Sequence, residues 1–307
     1  MPAATPLIAV TGGTGFVGHH VIKALVTSGY RVKALARTPE KLASLRHDNL
    51  EILKGSLGSN DAALVEGADV VLHMAGLIKA RNLPQIMVVN RDATRDIAKA
   101  AQQAGVKRFI LLSSQTAGQP ELSDYAASKE AGEVAVKEAY RGKLAIIRAP
   151  AVFGPGDEAT KPFFDFIAKG RLPVAGGPNW RKRKMAMVFA ADLARDIATR
   201  AVEGDYDGQT VTPCSVPALT WEQFAADAGQ ALGISVKATP IPLPIIKTIA
   251  AGTSVTSRLF GVGHLTLGKL REFLYEDWSS QDVIHNPTPF IEALRITAES
   301  YKKEYNV

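Results

Sequence analysis

Tyr125 and Lys129 stand four residues apart in Tyr125-Ala126-Ala127-Ser128-Lys129, within a pattern that stays helical through Ala139. Both side chains therefore leave one face of one helix. A phenol with a pKa near ~10 is a poor acid–base group at neutral pH, and a neighbouring ammonium favours its phenolate. Lys129 thus tunes Tyr125 as a proton donor and acceptor. Far upstream, Thr11-Gly12-Gly13-Thr14-Gly15-Phe16-Val17-Gly18 follows the strand-like run Leu7–Val10 and leads into the helix-like His19–Thr27. Glycines at that junction permit a tight turn, backbone approach to a pyrophosphate and close helix–strand packing, and the helix N-terminus offers free N–H groups.

The TGxxGxxG spacing of this loop resembles that of the extended short-chain dehydrogenase/reductase family. Other segments agree in order: Tyr125 to Lys129 reads as YxxxK, and Ser113-Ser114 end a strand ahead of it. Val71-Leu72-His73-Met74-Ala75-Gly76 resembles the strand that walls the adenine, and Arg148 to Gly156 the turn after the sixth strand. Leu267 to Trp278, with Lys269-Leu270-Arg271 and Asp277-Trp278, resembles the tail of the hydroxysteroid dehydrogenase and dihydroflavonol reductase branch. The resemblance spans residues 7 to about 280 and is more specific for fold and cofactor class than for substrate.

The resemblance implies a nicotinamide dinucleotide held by Gly12, Gly13, Thr14, Gly15, Phe16 and Val17, with Ser56, Leu57, Ala75 and Gly76 near the adenine side and Pro150 and Val152 in the later turn. It also implies that Lys129 hydrogen-bonds the nicotinamide ribose beside Tyr125. A serine hydroxyl would orient the substrate oxygen, and Asn90 would support a proton-relay water or a backbone kink. Register from Phe109-Ile110-Leu111 selects Ser114, and counting back from Gly118 selects Ser113. Strand register shifts less readily than loop length, so Ser114 is preferred. Ala117 or Gly118 stands where many sugar-nucleotide enzymes have an aromatic residue, which weakens a sugar reading.

The cofactor follows from the end of the second strand, where NAD-using relatives carry an acid for the ribose hydroxyls. Here the run is Leu35-Ala36-Arg37, without a carboxylate. Arg37 can offer its fork of donors to a 2′-phosphate, favouring NADP over NAD, or it is a solvated residue before a helix cap. Ser56-Leu57 replaces the Asp-Leu of many relatives.

These residues need elements to place them. Strands are expected at Leu7–Val10, Arg31–Ala36, Leu50–Lys54, Val70–His73, Arg108–Leu112 and Leu144–Arg148, alternating with helical stripes. That alternation signals βαβ units, an α/β fold with a Rossmann-type doubly wound parallel sheet and a smaller, mostly helical C-terminal lobe. Asp92–Ala104 reads as a helix burying Ile97, Ala100, Ala101 and Ala104, and Thr38-Pro39-Glu40 as a capped helix start. Residues 1–155 form the expected NADP-binding domain, with 186–212 returning to it, and residues 156–185 and 213–307 a substrate lobe. Trp221–Leu232 and Leu267–Leu274 read as helices of that lobe.

Composition narrows the class. The chain has 307 residues, 46% hydrophobic and 21% charged, which excludes disordered, collagenous and disulfide-scaffold proteins. One cysteine, Cys214, cannot form an internal disulfide, and Met1 to Thr5 lacks a signal-peptide pattern, so a cytoplasmic protein is expected. The most apolar stretch, Ile241–Val255, is broken by Pro242, Pro244, Lys247 and Gly252, short of the ~20 apolar residues of a membrane span. The net charge of +6 is dispersed apart from Arg181–Lys184, so no nucleic-acid partner is expected. His19, His20, His47, His73, His264 and His285 lack metal-ligand spacing, and no metal is expected.

The resulting expectation is an NADP-dependent oxidoreductase acting on a small, apolar carbonyl or alcohol, with Tyr125 as general acid and base. Ile241–Val255 would serve such a substrate, or simply pack the lobe's own core. A nucleotide-sugar epimerase or dehydratase is the first alternative, and Arg181–Lys184 would then bind a diphosphate or stand as a solvated loop. A non-catalytic NADP-binding regulatory or assembly protein is the second. A homodimer is implied by the family resemblance alone.

Overall fold

The computed structural model describes residues 5–260 and 265–304. Met1 to Ala4 and His264, together with the side chain of Val255, lie outside the described residues. The chain divides into two units. The first holds the described residues up to Pro120, with Asp124–Ala149 and Leu193–Val211; the second holds Glu121–Ser123, Pro150–Asp192 and the chain from Thr212 onward.

In the first unit, β1 (Leu7–Thr11), α1 (Phe16–Thr27), β2 (Arg31–Ala36), β3 (Leu50–Lys54) and α2 (Asp61–Val65) are followed by β4 (Val70–His73) and α3 (Leu83–Met87). Then come α4 (Ala93–Gln103), β5 (Arg108–Ser114), α5 (Asp124–Ala139) and β6 (Lys143–Ala149). With the short strand Thr210–Val211 they make a seven-stranded sheet, ordered Thr210–Val211, β6, β5, β4, β1, β2, β3. All pairings are parallel. Val70, Val71, Leu72 and His73 are all buried, as a parallel strand covered on both faces requires. Strand order reverses at β1, with β2 on one side and β4 on the other, which opens a crevice at their carboxyl ends. The glycine loop and residues 74–76 follow those ends.

Two local expectations are corrected. Pro39–Leu45 is a 3₁₀ helix, and the Thr38 side chain makes no cap bond; the Lys41 amide instead reaches the Thr38 carbonyl at 3.2 Å. So short a segment closes with i→i+3 bonds and needs no α-helical cap. On α4 the buried face is Thr94, Ile97, Ala98 and Ala101, while Ala104 is the exposed C-terminal cap. Ala104 continues the Ile97–Ala101 stripe, but the helix ends at Gln103 and leaves it uncovered; a π-helical turn, Val88–Asp92, precedes α4.

In the second unit, Lys184–Phe189 pairs with Val216–Thr220, Asp277–Trp278 and Ala151–Phe153, and Arg171–Ala175 pairs with Lys237–Ile241. Segment 186–192, read from sequence as part of the return, belongs here because its strand finds these partners; the return runs Leu193–Val211. Trp221–Leu232 is a helix with a full capping box from Thr220 and Gln223. Phe153, Phe164, Trp221, Phe224 and Leu294 lie in this unit's apolar core.

Candidate functional site

The glycine loop leaves no room for side chains at Gly12, Gly13 and Gly18. Gly12 has φ +75°, and a Cβ there would lie 2.5 Å from the Ala75 nitrogen; one on Gly18 would lie 2.2 Å from the Gly12 carbonyl oxygen. A Cβ on Gly13 would meet Ile22 Cδ1 at 2.4 Å, so α1 packs directly on the loop. The first turn of α1 carries no carboxylate and its N-cap is Gly15, with Thr14 and Gly15 exposed. The N-terminal amides and the positive end of the helix thus face a space suited to a pyrophosphate. By this test the residues present fit a dinucleotide.

A buried hydrogen-bond chain ties this loop to the candidate catalytic residues. Thr94 Oγ1 donates to the Asn90 carbonyl at 2.9 Å, so it accepts from His73 Nε2 at 3.0 Å. His73 Nδ1 then accepts from Thr11 Oγ1 at 2.7 Å, and Thr11 Oγ1 accepts from the Ala75 amide at 3.3 Å. Every donor has one direction, which fixes His73 as the neutral Nε2–H tautomer. Burial, reinforced by the charge of Lys129, lowers its pKa to about 3. His73 and Thr94 carry no motif signal in this role. Their trace in the sequence is a histidine closing an apolar strand and a threonine one helical turn beyond Asn90.

Asn90 lies in the π-helical turn and is 3% exposed. Its Oδ1 accepts from the Leu77 amide at 2.7 Å, while Nδ2 donates to the Leu77 carbonyl at 2.8 Å and to Ser128 Oγ at 2.9 Å. Ser128 Oγ donates to the Tyr125 carbonyl at 2.7 Å, joining Asn90 to the tyrosine's own turn of α5. Gly132 lets α5 approach, since a Cβ there would sit 2.3 Å from the Asn90 carbonyl oxygen. A Cβ on Gly76 would lie 3.2 Å from Asn90 Oδ1 and 3.8 Å from Lys129 Nζ, so Gly76, Asn90 and Lys129 share one neighbourhood.

Tyr125 is half-buried, and Lys129, one turn further on α5, is buried with Nζ donating to the Leu112 carbonyl at 2.8 Å. Burial lowers the Lys129 pKa to about 8, against an opposing pull from Glu133. The two serines alternate on β5 and so face opposite ways. Ser113 Oγ donates to Glu133 Oε1 at 2.5 Å, and Glu133 is paired with Arg148 at 2.7 Å. Ser114 Oγ bonds Thr116 Oγ1 at 2.9 Å within its own loop.

Arg37, exposed at the end of β2, has no side-chain partner among the described residues. The Gly55 amide bonds the Ala36 carbonyl at 3.0 Å, which brings the half-buried Ser56 and Leu57 beside the end of β2. The Ser56 amide is held by Asn60 Oδ1 at 3.1 Å. Ala75 is half-buried and Gly76 exposed, whereas Pro150 and Val152 open the second unit and are buried and half-buried.

A doubly wound parallel sheet with a tightly packed glycine-rich loop at its switch point defines a nucleotide-binding Rossmann protein. Residues 12–150 match a family model described as NAD(P)H-binding. The chain is 36% identical over 280 residues to a ceramide reductase of Caulobacter vibrioides, covering 90% of this chain and 86% of that protein. It is 30% identical over 200 residues to a 3 beta-hydroxysteroid dehydrogenase/Delta 5-->4-isomerase of Mycobacterium tuberculosis, covering 55% and 54% of the two chains. In fold it resembles a UDP-N-acetylglucosamine 4-epimerase from Methanobrevibacter ruminantium, with TM-score 0.73, 20% identity and coverage of 98% and 99%. The chain belongs to the extended short-chain dehydrogenase/reductase family and is an NAD(P)-binding enzyme.

Proposed function

We propose that this enzyme uses NADPH to reduce the ketone of a long-chain, ceramide-type lipid, with Tyr125 as the proton donor. The observation that carries the reading is the linkage of the Leu77 backbone through Asn90 and Ser128 to the Tyr125 carbonyl, which ties the segment bearing Leu77 and Ile78 to the tyrosine's turn. Leu77 and Ile78, 37% and 66% exposed, continue directly from Gly76. Apolar side chains left in water beside a polar cluster are what an apolar substrate would cover. The likeness to a ceramide reductase along most of both chains supports the same class.

A nicotinamide dinucleotide held at the glycine loop would supply the hydride that the carbonyl carbon needs. Tyr125 gives its phenolic proton to the carbonyl oxygen, and Ser114 holds that oxygen by a hydrogen bond. Lys129, anchored on the Leu112 carbonyl, keeps its ammonium one helical turn from the phenol and eases loss of that proton. Asn90 fixes the turn bearing Tyr125 through Ser128. Ser113, committed to Glu133, braces the sheet instead. The glycine loop residues, Arg37, Ser56, Leu57, Ala75, Gly76, Pro150 and Val152 hold the cofactor in this reading, with Arg37 on the 2′-phosphate.

Residues 156–185 and 213–307 would supply the substrate lobe. Val88 and Val134, 59% and 42% exposed on neighbouring elements of the first unit, support a homodimer. The reading takes the enzyme as cytoplasmic, as the sequence leads one to expect. A nucleotide sugar is the weaker reading, because Arg183 of the basic run gives its donors to the carbonyls of Ala175, Gly176 and Pro178, and Arg181 pairs with Glu222.

The test offers NADPH with an N-acyl amino ketone of ceramide type, a hydroxysteroid with NADP, and UDP-sugars. Stoichiometric NADPH oxidation with the keto-lipid is expected. Conversion of a UDP-sugar without net cofactor change would overturn the reading.

A further inference from the structure

The two serines that end β5 differ in what their hydroxyls have left to offer. A hydroxyl carries one proton and two lone pairs. Ser113 Oγ gives its proton to Glu133 Oε1 at 2.5 Å, within the Glu133–Arg148 ion pair. Ser114, 9% exposed, is engaged only by Thr116 among the described residues: the Thr116 amide donates to Ser114 Oγ at 3.3 Å, and Thr116 Oγ1 lies 2.9 Å from it. The backbone sets up this double contact. It leaves β5 extended at Ser114, with φ −132° and ψ 146°, and then turns through Gln115–Gly118, which folds the half-buried Thr116 back over the serine oxygen. The Gln119 amide closes the turn on the Thr116 carbonyl at 2.9 Å.

The direction of the hydroxyl contact decides what Ser114 can do. With Ser114 as donor, its proton stays inside the loop and it meets a ligand with a lone pair. A ketone oxygen has no proton, so the two would face each other as acceptors, each left unsatisfied. With Thr116 as donor, the amide and the threonine hydroxyl fill both lone pairs of Ser114 Oγ, and the serine proton is the one valence outstanding. Accepting two hydrogen bonds also polarises the serine O–H and makes it a better donor. A donor aimed at a ketone oxygen gains strength as negative charge gathers there, which lowers the barrier more than it tightens binding.

We propose that Thr116 is a positioning residue that fixes Ser114 as a hydrogen-bond donor, Thr116 Oγ1 donating to Ser114 Oγ and Ser114 Oγ to the substrate carbonyl. The inference rests on the reading that Ser114 holds the substrate oxygen. Its test is the steady-state reduction of the ceramide-type ketone with NADPH by the parent, Thr116→Val, Thr116→Ser, Ser114→Ala and the double variant Ser114→Ala, Thr116→Val. Thr116→Val keeps the branched shape and removes the hydroxyl, so kcat should fall about three- to tenfold, the worth of one neutral hydrogen bond. The KM for the ketone should hold within about twofold, as expected for a contact that matters in the transition state. Thr116→Ser keeps the hydroxyl and should stay within about twofold of the parent kcat. In the Ser114→Ala background Thr116→Val should cost no more than about twofold further, because it acts through the missing serine. NADPH affinity and far-ultraviolet circular dichroism of the variants should match the parent.

Parental kcat in Thr116→Val, beside a Ser114→Ala variant that has lost turnover, would overturn the inference and leave the reading of Ser114 standing. Full loss on adding Thr116→Val to Ser114→Ala would also overturn it, since Thr116 would then act by another route. Parental kcat in Ser114→Ala, or no turnover by the parent, would overturn the underlying reading and this inference with it.

Discussion

Protonation of His73 should be a measurable cost of acidification. Its ring is fully buried between Thr11 and Thr94, and burial followed by the charge of Lys129 holds its pKa at about 3 against an ordinary 6.5. Between these values the unfolded chain binds a proton that the folded chain refuses. Its stabilising contribution is therefore complete above about pH 6.5 and is lost as the pH falls toward 3. At about pH 5 the loss spans about 1.5 pH units, or about 2 kcal/mol. His73→Gln removes the titrating ring. It should be less stable than the parent at about pH 7.5, and the gap should narrow by about 2 kcal/mol at about pH 5, measured by urea unfolding followed by far-ultraviolet circular dichroism. A gap that stays constant over this range would refute the buried neutral ring. Nitrogen-15 spectra of histidine-labelled protein give the complementary readout, with Nε2 protonated and Nδ1 bare throughout.

Four further outcomes follow from single contacts. Arg37→Ala should raise the KM for NADPH by about ten- to a hundredfold, the worth of a charge-assisted contact, and leave NADH nearly unchanged; steady-state kinetics with both cofactors checks this. Ser114→Ala should lower kcat by about a hundredfold with little effect on melting. Ser113→Ala should do the reverse, costing about 1.5–3 kcal/mol of stability through its lost bond to Glu133 while keeping most turnover, as calorimetry and kinetics together would show. Gly12→Ala should abolish NADPH binding by fluorescence titration, because its Cβ would press on the Ala75 backbone at a φ of +75°.

The sequence discloses the sheet because burial on both faces writes itself as short apolar runs. β2, β3 and β4 begin and end where composition places them, and β5 runs on only to include both serines. Trp221–Leu232 is legible because Thr220 and Gln223 form a cap that is itself a local pattern. Features that depend on register are not legible. Thr11 meets His73 because β1 and β4 pair in that register, across 62 residues of chain, and no local pattern encodes it. The π-helical turn at Asn90 is equally silent. Arg183 read as part of an exposed basic run, yet its guanidinium is buried on three carbonyls of a turn whose path only the fold supplies.

The central claim is that Tyr125 moves the proton in an NADPH-driven ketone reduction. Its most direct test is the absorbance of NADPH with the keto-lipid, for the parent enzyme and for Tyr125→Phe, alongside NADPH binding by both. Turnover in the parent, lost by at least about a hundredfold in the phenylalanine variant with binding retained, is the predicted result. Equal turnover in the two proteins would contradict it.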